Sequence, residues 1–247
     1  MNFIEHIGKY FIFLGRTLRK PEKVSVFRSM TMKEIDILGL NSLPIVSVVS
    51  VFVGAVVALQ TAFNMESPLF PDYLIGLAVR DSVILEFSPT MVSLILAGKV
   101  GSNIASNIGF MRASEQIDAL EVMGINSANY LVLPKIISLI LVNPMLIVLS
   151  MALCIVGGWI AGEMTGFCPT EEYIYGIQYE FRPFNVAYAL IKTVVFAFVI
   201  ATISAYQGYY TRGGALEVGN GSTRAVVFSS MLIIFLNYVL TQIFLTN

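Results

Sequence analysis

The chain has 247 residues, 56% of them hydrophobic and only 13% charged, with a formal net charge of −1. Soluble domains are about a quarter charged, so the density here is roughly half the usual value and a soluble globular domain is excluded. Near-neutrality without a basic stripe also excludes a nucleic-acid surface. One histidine (His6) and two cysteines (Cys154 and Cys168) cannot assemble a His/Cys zinc site. With Cys154 in an apolar run and Cys168 in a loop, no disulfide framework is suggested, and no metal or cofactor is expected.

Residues 1–36 hold seven Lys/Arg and the stretch Ile7-Gly8-Lys9-Tyr10-Phe11-Ile12-Phe13-Leu14-Gly15-Arg16. It is too short to span a bilayer, and its mixture of rings and cations suits a helix lying in the interface. The plainer alternative is a lead-in helix packed on the bundle. No cleavable signal peptide is read, because the first long apolar run starts near residue 37.

Residues 37–65, 136–162 and 225–247 contain no Asp, Glu, Lys or Arg. A helix needs ~20 apolar residues to cross the hydrocarbon core, so each run is long enough. Five spans follow, at about 42–64, 73–98, 136–162, 183–209 and 224–245. Strict alternation is absent, so the spans are helices and the fold is an all-α polytopic membrane protein. Pro89 and Pro144 predict kinks. Gly158, Gly162 and Gly166 form a small-residue face for close helix approach.

With the N-terminus cytoplasmic, 12 of the 15 Lys/Arg fall on the cytoplasmic side. The outer loops are acidic, with Glu66, Asp72, Glu171, Glu172 and Glu180, and the C-terminus lies outside. The organisation is then an amphipathic interfacial segment over 1–40 and a five-helix transmembrane domain over 41–247.

The cytoplasmic loop after the second span carries a short helix at about 114–124. Ser114 is placed to cap it, Glu115 favours the positive dipole end, and Gly124 suits the left-handed position past its end. Glu115, Asp118 and Glu121 form one stripe, with no Lys or Arg inside the helix; Ile117, Leu120 and Met123 form the next, and Gln116 opens the first turn. Acids beside an apolar stripe suit a handle inserted in another protein's groove. The alternative is a surface helix tucked against its own bundle. The preceding small-residue stretch Gly101–Gly109 continues the second span below the membrane.

The run Ala97-Gly98-Lys99-Val100-Gly101-Ser102 through Ile108-Gly109-Phe110-Met111-Arg112, followed by Glu115-Gln116-Ile117-Asp118-Ala119-Leu120 and Met123-Gly124, resembles the MlaE-type permease family. These proteins are the membrane subunits of Mce-associated ABC lipid transporters. Further matches are Ile191-Lys192-Thr193-Val194-Val195-Phe196, then Gly208-Tyr209, Gly213-Gly214-Ala215, Val218-Gly219 and Ser222-Thr223-Arg224-Ala225-Val226-Val227. Order and spacing fit from about residue 40 to residue 245. The resemblance implies a homodimeric permease in the bacterial inner membrane. It also implies a cytoplasmic ATPase subunit docked on the 115–123 helix, an Mce-domain partner outside, and lipid cargo, usually phospholipid. The family commonly has Arg-Glu-Leu-Gly-Pro where this chain has Leu85-Glu86-Phe87-Ser88-Pro89, and Ala-Glu-Ile-Gly where it has Ser106-Asn107-Ile108-Gly109. Glu86 keeps the first acid; Asn107 replaces the second, so no role of that acid carries over.

Arg80, Asp81, Glu86 and Lys192 lie within spans, where a mid-bilayer charge costs about 2.5–3.5 kcal/mol on insertion scales. Each should face a partner or a wet cavity. Lys192 pairing with Glu86 to fix register is one reading; a cavity admitting lipid headgroups is another, and Arg80 with Asp81 could simply reach the outer interface. The loop 212–221 lacks the Gly-x-x-x-x-Gly-Lys-Ser/Thr pattern and is read as a tight turn, with Ser222 or Thr223 capping the fifth span. The chain is therefore not expected to be an enzyme. The alternative function is an ion- or proton-coupled carrier, needing no ATPase, that uses the four intramembrane charges as a relay.

Overall fold

In hydrocarbon a chain must satisfy its own backbone polar groups, and helices do so locally. The computed structural model describes residues 3–20, 23–65 and 71–245, and among these the regular structure is entirely helical. Glu66, counted above among the outer acids, lies outside the described residues. Five stretches are long and apolar enough to cross a membrane: Val24–Asn64, Tyr73–Ala113, Ser127–Thr165, Pro183–Tyr209 and Ala215–Phe244. The all-α polytopic fold and the number of spans are as read from sequence.

In chain order, α1 is Phe3–Thr17 and α2 Val24–Leu38, joined through a 3-10 turn at Leu40–Ser42 to α3, Leu43–Asn64. The second span runs through α4 (Tyr73–Ser82), a π-helical stretch Val83–Met91, α5 (Val92–Leu96), a second π stretch Ala97–Gly101 and α6 (Ser102–Ala113). Next come α7 (Gln116–Val122), α8 (Ser127–Thr165), α9 (Thr170–Gln178), α10 (Pro183–Tyr209) and α11 (Ala215–Leu245).

The helices overrun the apolar runs because their ends need no lipid around them. Lys99, where charge counting stops the second span, donates to the Asn41 carbonyl, and Lys135, just before the third, pairs with Glu34. The turn expected over 213–221 is mostly helix: α11 starts at Ala215, after Gly213 at φ +120°. Ser222 and Thr223 therefore do not cap it; their hydroxyls donate to the carbonyls of Ser102 and Gly219. Pro89 sits in the wider turns of the first π stretch, which absorb its missing N–H, whereas α8 continues through Pro144.

Contacts divide the chain into two compact units. The first comprises residues 1–42, 94–142 and 195–239. In it α1 lies on α10, with buried Phe13 against the rings of Tyr206, Tyr209 and Tyr210 (centroids 5.8, 5.1 and 6.0 Å). The Tyr10 hydroxyl donates to Thr202 Oγ1 at 2.8 Å. The end of α1 is tied to the start of α8 by Asn129 Nδ2, which donates to the carbonyls of Thr17 (2.7 Å) and Arg19 (2.6 Å). Phe11 and Ile12 face outward, so α1 packs on the bundle and still exposes an apolar edge.

The second unit comprises residues 43–93, 143–194 and 240–247. Its helices α3 and α8 approach so closely that a Cβ on Gly54 would overlap the backbone of Cys154, and one on Gly157 would overlap the Val51 carbonyl. Of the anticipated face, Gly158 joins the close approach, lying against Ala58 and the Gly54 carbonyl of α3 as well as the Tyr173 hydroxyl, whereas Gly166, at φ +70°, follows the end of α8. Nearby, Ser50 donates to Ser150 at 2.8 Å and Ser150 to Ser88 at 3.3 Å. The short helix α9, not anticipated, packs on α4, with Tyr73 behind Gly176 and Tyr173 behind Gly76. Beside it the Cys168 thiol is pushed up to about 11 by burial and by the carboxylates of Asp72 and Glu172.

Replacing Gly54 by Val should force α3 and α8 apart, costing at least about 2 kcal/mol and lowering the unfolding midpoint in detergent by about 5 °C or more. Gly98→Ala, with nothing within 4 Å of the new methyl, should leave the midpoint unchanged.

Candidate functional site

Helix α7 occupies only seven residues, Gln116–Val122. It starts differently from the sequence expectation. Ser114 closes α6 instead, donating its hydroxyl to the Phe110 carbonyl at 2.8 Å, and Glu115 takes the N-cap position at φ +59°. A left-handed backbone costs a non-glycine residue about 1–2 kcal/mol, so the chain reverses here under strain. The other end is unstrained. Gly124 stands at φ +76°, its N–H bonds the Glu121 carbonyl at 3.0 Å, and the Ile125 N–H bonds that of Leu120 at 3.0 Å. This is a Schellman closure, and it requires glycine at that position.

The two stripes of α7 are shared between inside and outside. Ile117 is fully buried in its own chain and Leu120 is half-buried, so neither is the free anchor that the spacing suggested. The apolar side chains turned outward are Val122, 89% exposed, and Met123, 65% exposed. Gln116 Nε2 donates to Ser114 Oγ at 3.0 Å. Asp118 is not without a counter-charge, because Arg112 Nη1 of α6 reaches it at 2.6 Å. Glu121 Oε1 accepts from the Tyr209 hydroxyl of α10 at 2.8 Å and from the Ser127 hydroxyl of α8 at 3.0 Å. Glu115 stays exposed. Three membrane helices thus hold the short one. Arg112 and Tyr209 stand within the stretches that carry the resemblance, but residue type alone gave neither a role.

The four intramembrane charges form two separate pairs. Lys192, with no exposed surface, places Nζ 2.9 Å from Glu86 Oε1, 3.1 Å from the Leu85 carbonyl and 3.4 Å from Thr241 Oγ1, and lies 4.8 Å from the Tyr188 ring centroid. The Glu86 side chain is 41% exposed. Arg80 is buried within its own chain: Nε meets Asp81 Oδ1 at 2.9 Å, while Nη1 donates to the carbonyls of Ile177 (2.9 Å) and Tyr179 (2.6 Å). It closes the C-terminal end of α9, where a cation suits the unsatisfied carbonyls. Arg80 and Asp81 do not touch Lys192, so the four charges make no continuous relay. Asn107, which replaces the second acid, is exposed and donates to Asn103 Oδ1 at 3.1 Å.

The model of the permease MlaE family matches residues 31–243, a stretch that includes α7 and all four charges. The chain belongs to that family. Among MlaE-family relatives, a probable ABC transporter permease protein of Rickettsia bellii is 35% identical over 97% of this chain and 92% of its own length. A probable ABC transporter permease protein of Synechocystis is 33% identical over 94% of this chain and 88% of its own. The intermembrane phospholipid transport system permease protein MlaE of Haemophilus influenzae is 27% identical over 98% and 97%. This MlaE-family chain is accordingly a multi-pass membrane protein and the permease subunit of an ABC transporter. ATP hydrolysis resides in a separate subunit, which overturns the alternative of a carrier acting without an ATPase.

Burial makes the Lys192–Glu86 pair asymmetric. Glu86→Gln leaves an ammonium group buried without its counter-ion and should destabilise the protein by about 3 kcal/mol or more. Lys192→Met leaves a carboxylate that keeps the Thr90 and Thr241 hydroxyls and can shed its charge by taking up a proton, and should cost less. Thermal unfolding of the two variants in detergent checks the order.

Proposed function

We propose that this permease moves phospholipid between the inner membrane and an Mce-domain binding protein on the outer side, as a homodimer driven by an ATPase docked on α7. The observation that carries the reading is the division of labour on α7: Ile117, Asp118 and Glu121 are engaged with their own chain, while Val122, Met123 and Glu115 face outward. A helix fixed behind and open in front suits a push delivered by a second protein. Arg112 of α6, Ser127 of α8 and Tyr209 of α10 then pass the displacement to three membrane helices.

Phospholipid as cargo is supported by the name of the Haemophilus influenzae relative. The partly exposed Glu86 beside buried Lys192 offers a polar point within an apolar wall, the kind of feature a headgroup needs. A homodimer is what the family resemblance implies, and α11, the least buried of the five spans, offers Phe228, Met231, Ile234, Phe235 and Tyr238 as apolar surface for a second copy. The Lys/Arg distribution supports a cytoplasmic α7 and N-terminus, with the C-terminus outside.

The test is co-purification. Changing Val122→Glu together with Met123→Glu places two carboxylates on the outward apolar surface without touching Ile117. The variant should keep its elution profile and lose the ATPase subunit by about ten-fold or more, as expected where an apolar contact of some 2 kcal/mol is removed. Undiminished recovery of the ATPase would overturn α7 as its docking site.

A further inference from the structure

A cavity of about 370 Å³ in the first unit, lined by residues of α1, α10 and α11, plays no part in the reading above. Its size is that of a small-molecule site. Its walls bring together Lys9 from α1, Arg212 from the turn after α10 and Arg224 from α11, with Tyr206, Gln207 and Tyr210 as further polar groups. Lys9 is paired with Glu5 at 2.8 Å, and the other acid in the wall, Glu217, accepts from Asn220 at 3.3 Å. Arg212 and Arg224 have no carboxylate partner among the described residues. Two guanidinium groups in one cavity repel each other until an anion joins them, and phosphate matches their fork geometry. The first turn of α11 adds the positive end of a 31-residue helix to the same wall.

The surroundings distinguish a lipid from a soluble anion. The two helices that supply Lys9 and Arg224 also expose large apolar side chains: Ile7, Phe11 and Ile12 on α1, and Leu216, 79% exposed, on the first turn of α11. Cations on helices that also carry exposed apolar side chains match a headgroup with its acyl chains outside.

We propose that this cavity binds the phosphate of an anionic phospholipid from the adjoining leaflet, through Arg212, Arg224 and Lys9. The site contains no residue of α7 and neither Glu86 nor Lys192, and it stands whether or not α7 docks an ATPase. Its occupant would stiffen the contact between α1 and α10, and the effect reaches α7 through Tyr210, whose ring lies 5.4 Å from that of Tyr209, the residue bonded to Glu121.

Native mass spectrometry of the full-length chain, released from micelles doped with dioleoyl-phosphatidylglycerol or dioleoyl-phosphatidylcholine, tests this directly. The unmodified chain should retain phosphatidylglycerol in preference to phosphatidylcholine. Arg212→Gln with Arg224→Gln should reduce that retention at least about ten-fold, since each cation near an anionic lipid contributes roughly five-fold. Arg212→Lys with Arg224→Lys should preserve most of it, and Arg182→Gln, outside the cavity, should change nothing. If the glutamine pair does not fold, Lys9→Gln with Arg224→Gln gives the same readout. Equal retention in a folded charge-removed variant overturns the site. Equal retention of the two lipids, with inorganic phosphate displacing both, overturns the lipid assignment and leaves a soluble-anion site.

Discussion

One carboxylate ties α7 to the helices around it. Glu121 accepts from Tyr209 at 2.8 Å and from Ser127 at 3.0 Å, so a seven-residue helix that could not persist alone is joined to two long membrane helices. Its partner Asp118 adds a third through Arg112, and Ile117 fills the space between. Hydrogen bonds to a charged group contribute about 1.5–3 kcal/mol each, enough to make α7 move with its supports rather than independently of them. In the function proposed here, that rigidity is what converts docking at Val122 and Met123 into motion within the membrane.

Elsewhere the governing constraint is the cost of charge in hydrocarbon, and each buried cation finds a separate answer to it. Lys192 takes a carboxylate, a carbonyl and a hydroxyl, while Arg80 takes a carboxylate and the open carbonyls at the end of α9. Arg80 therefore reads as the fastening of α9, and Lys192 with Glu86 as the pair with one face still accessible. Hydroxyls meet the same constraint in the chain from Ser50 through Ser150 to Ser88. Close glycine contacts at Gly54 and Gly157 provide the dispersion packing that replaces the hydrophobic effect between helices already in an apolar medium.

The architecture was legible because apolar run length is set by bilayer thickness, a quantity independent of tertiary detail. Family membership was legible from motif order alone, with α7 inside the strongest motif. The helix ends were not, because Lys99 and Lys135 look like loop residues until their partners in the N-terminal segment, the Asn41 carbonyl and Glu34, are in place. The inward turn of Ile117 was hidden for a related reason: a stripe at helical spacing does not say which side has company. Glycine spacing was right only at Gly158, since Gly166 serves a positive φ and Gly157, outside the four-residue repeat, makes the tightest approach on α8. Tyr209 could not have been assigned to Glu121 from a separation of 88 positions.

Releasing Glu121 in the assembled transporter is the most direct measurement. Tyr209→Phe with Ser127→Ala removes both hydroxyls from the carboxylate while sparing the outward surface of α7, and lipid transfer and ATP hydrolysis are then recorded together in reconstituted vesicles. Hydrolysis should continue with the ATPase still bound, and lipid moved per ATP should fall about ten-fold or more, the scale of one charged hydrogen bond lost. Lipid moved per ATP equal to that of the unmodified transporter would contradict transmission through α7.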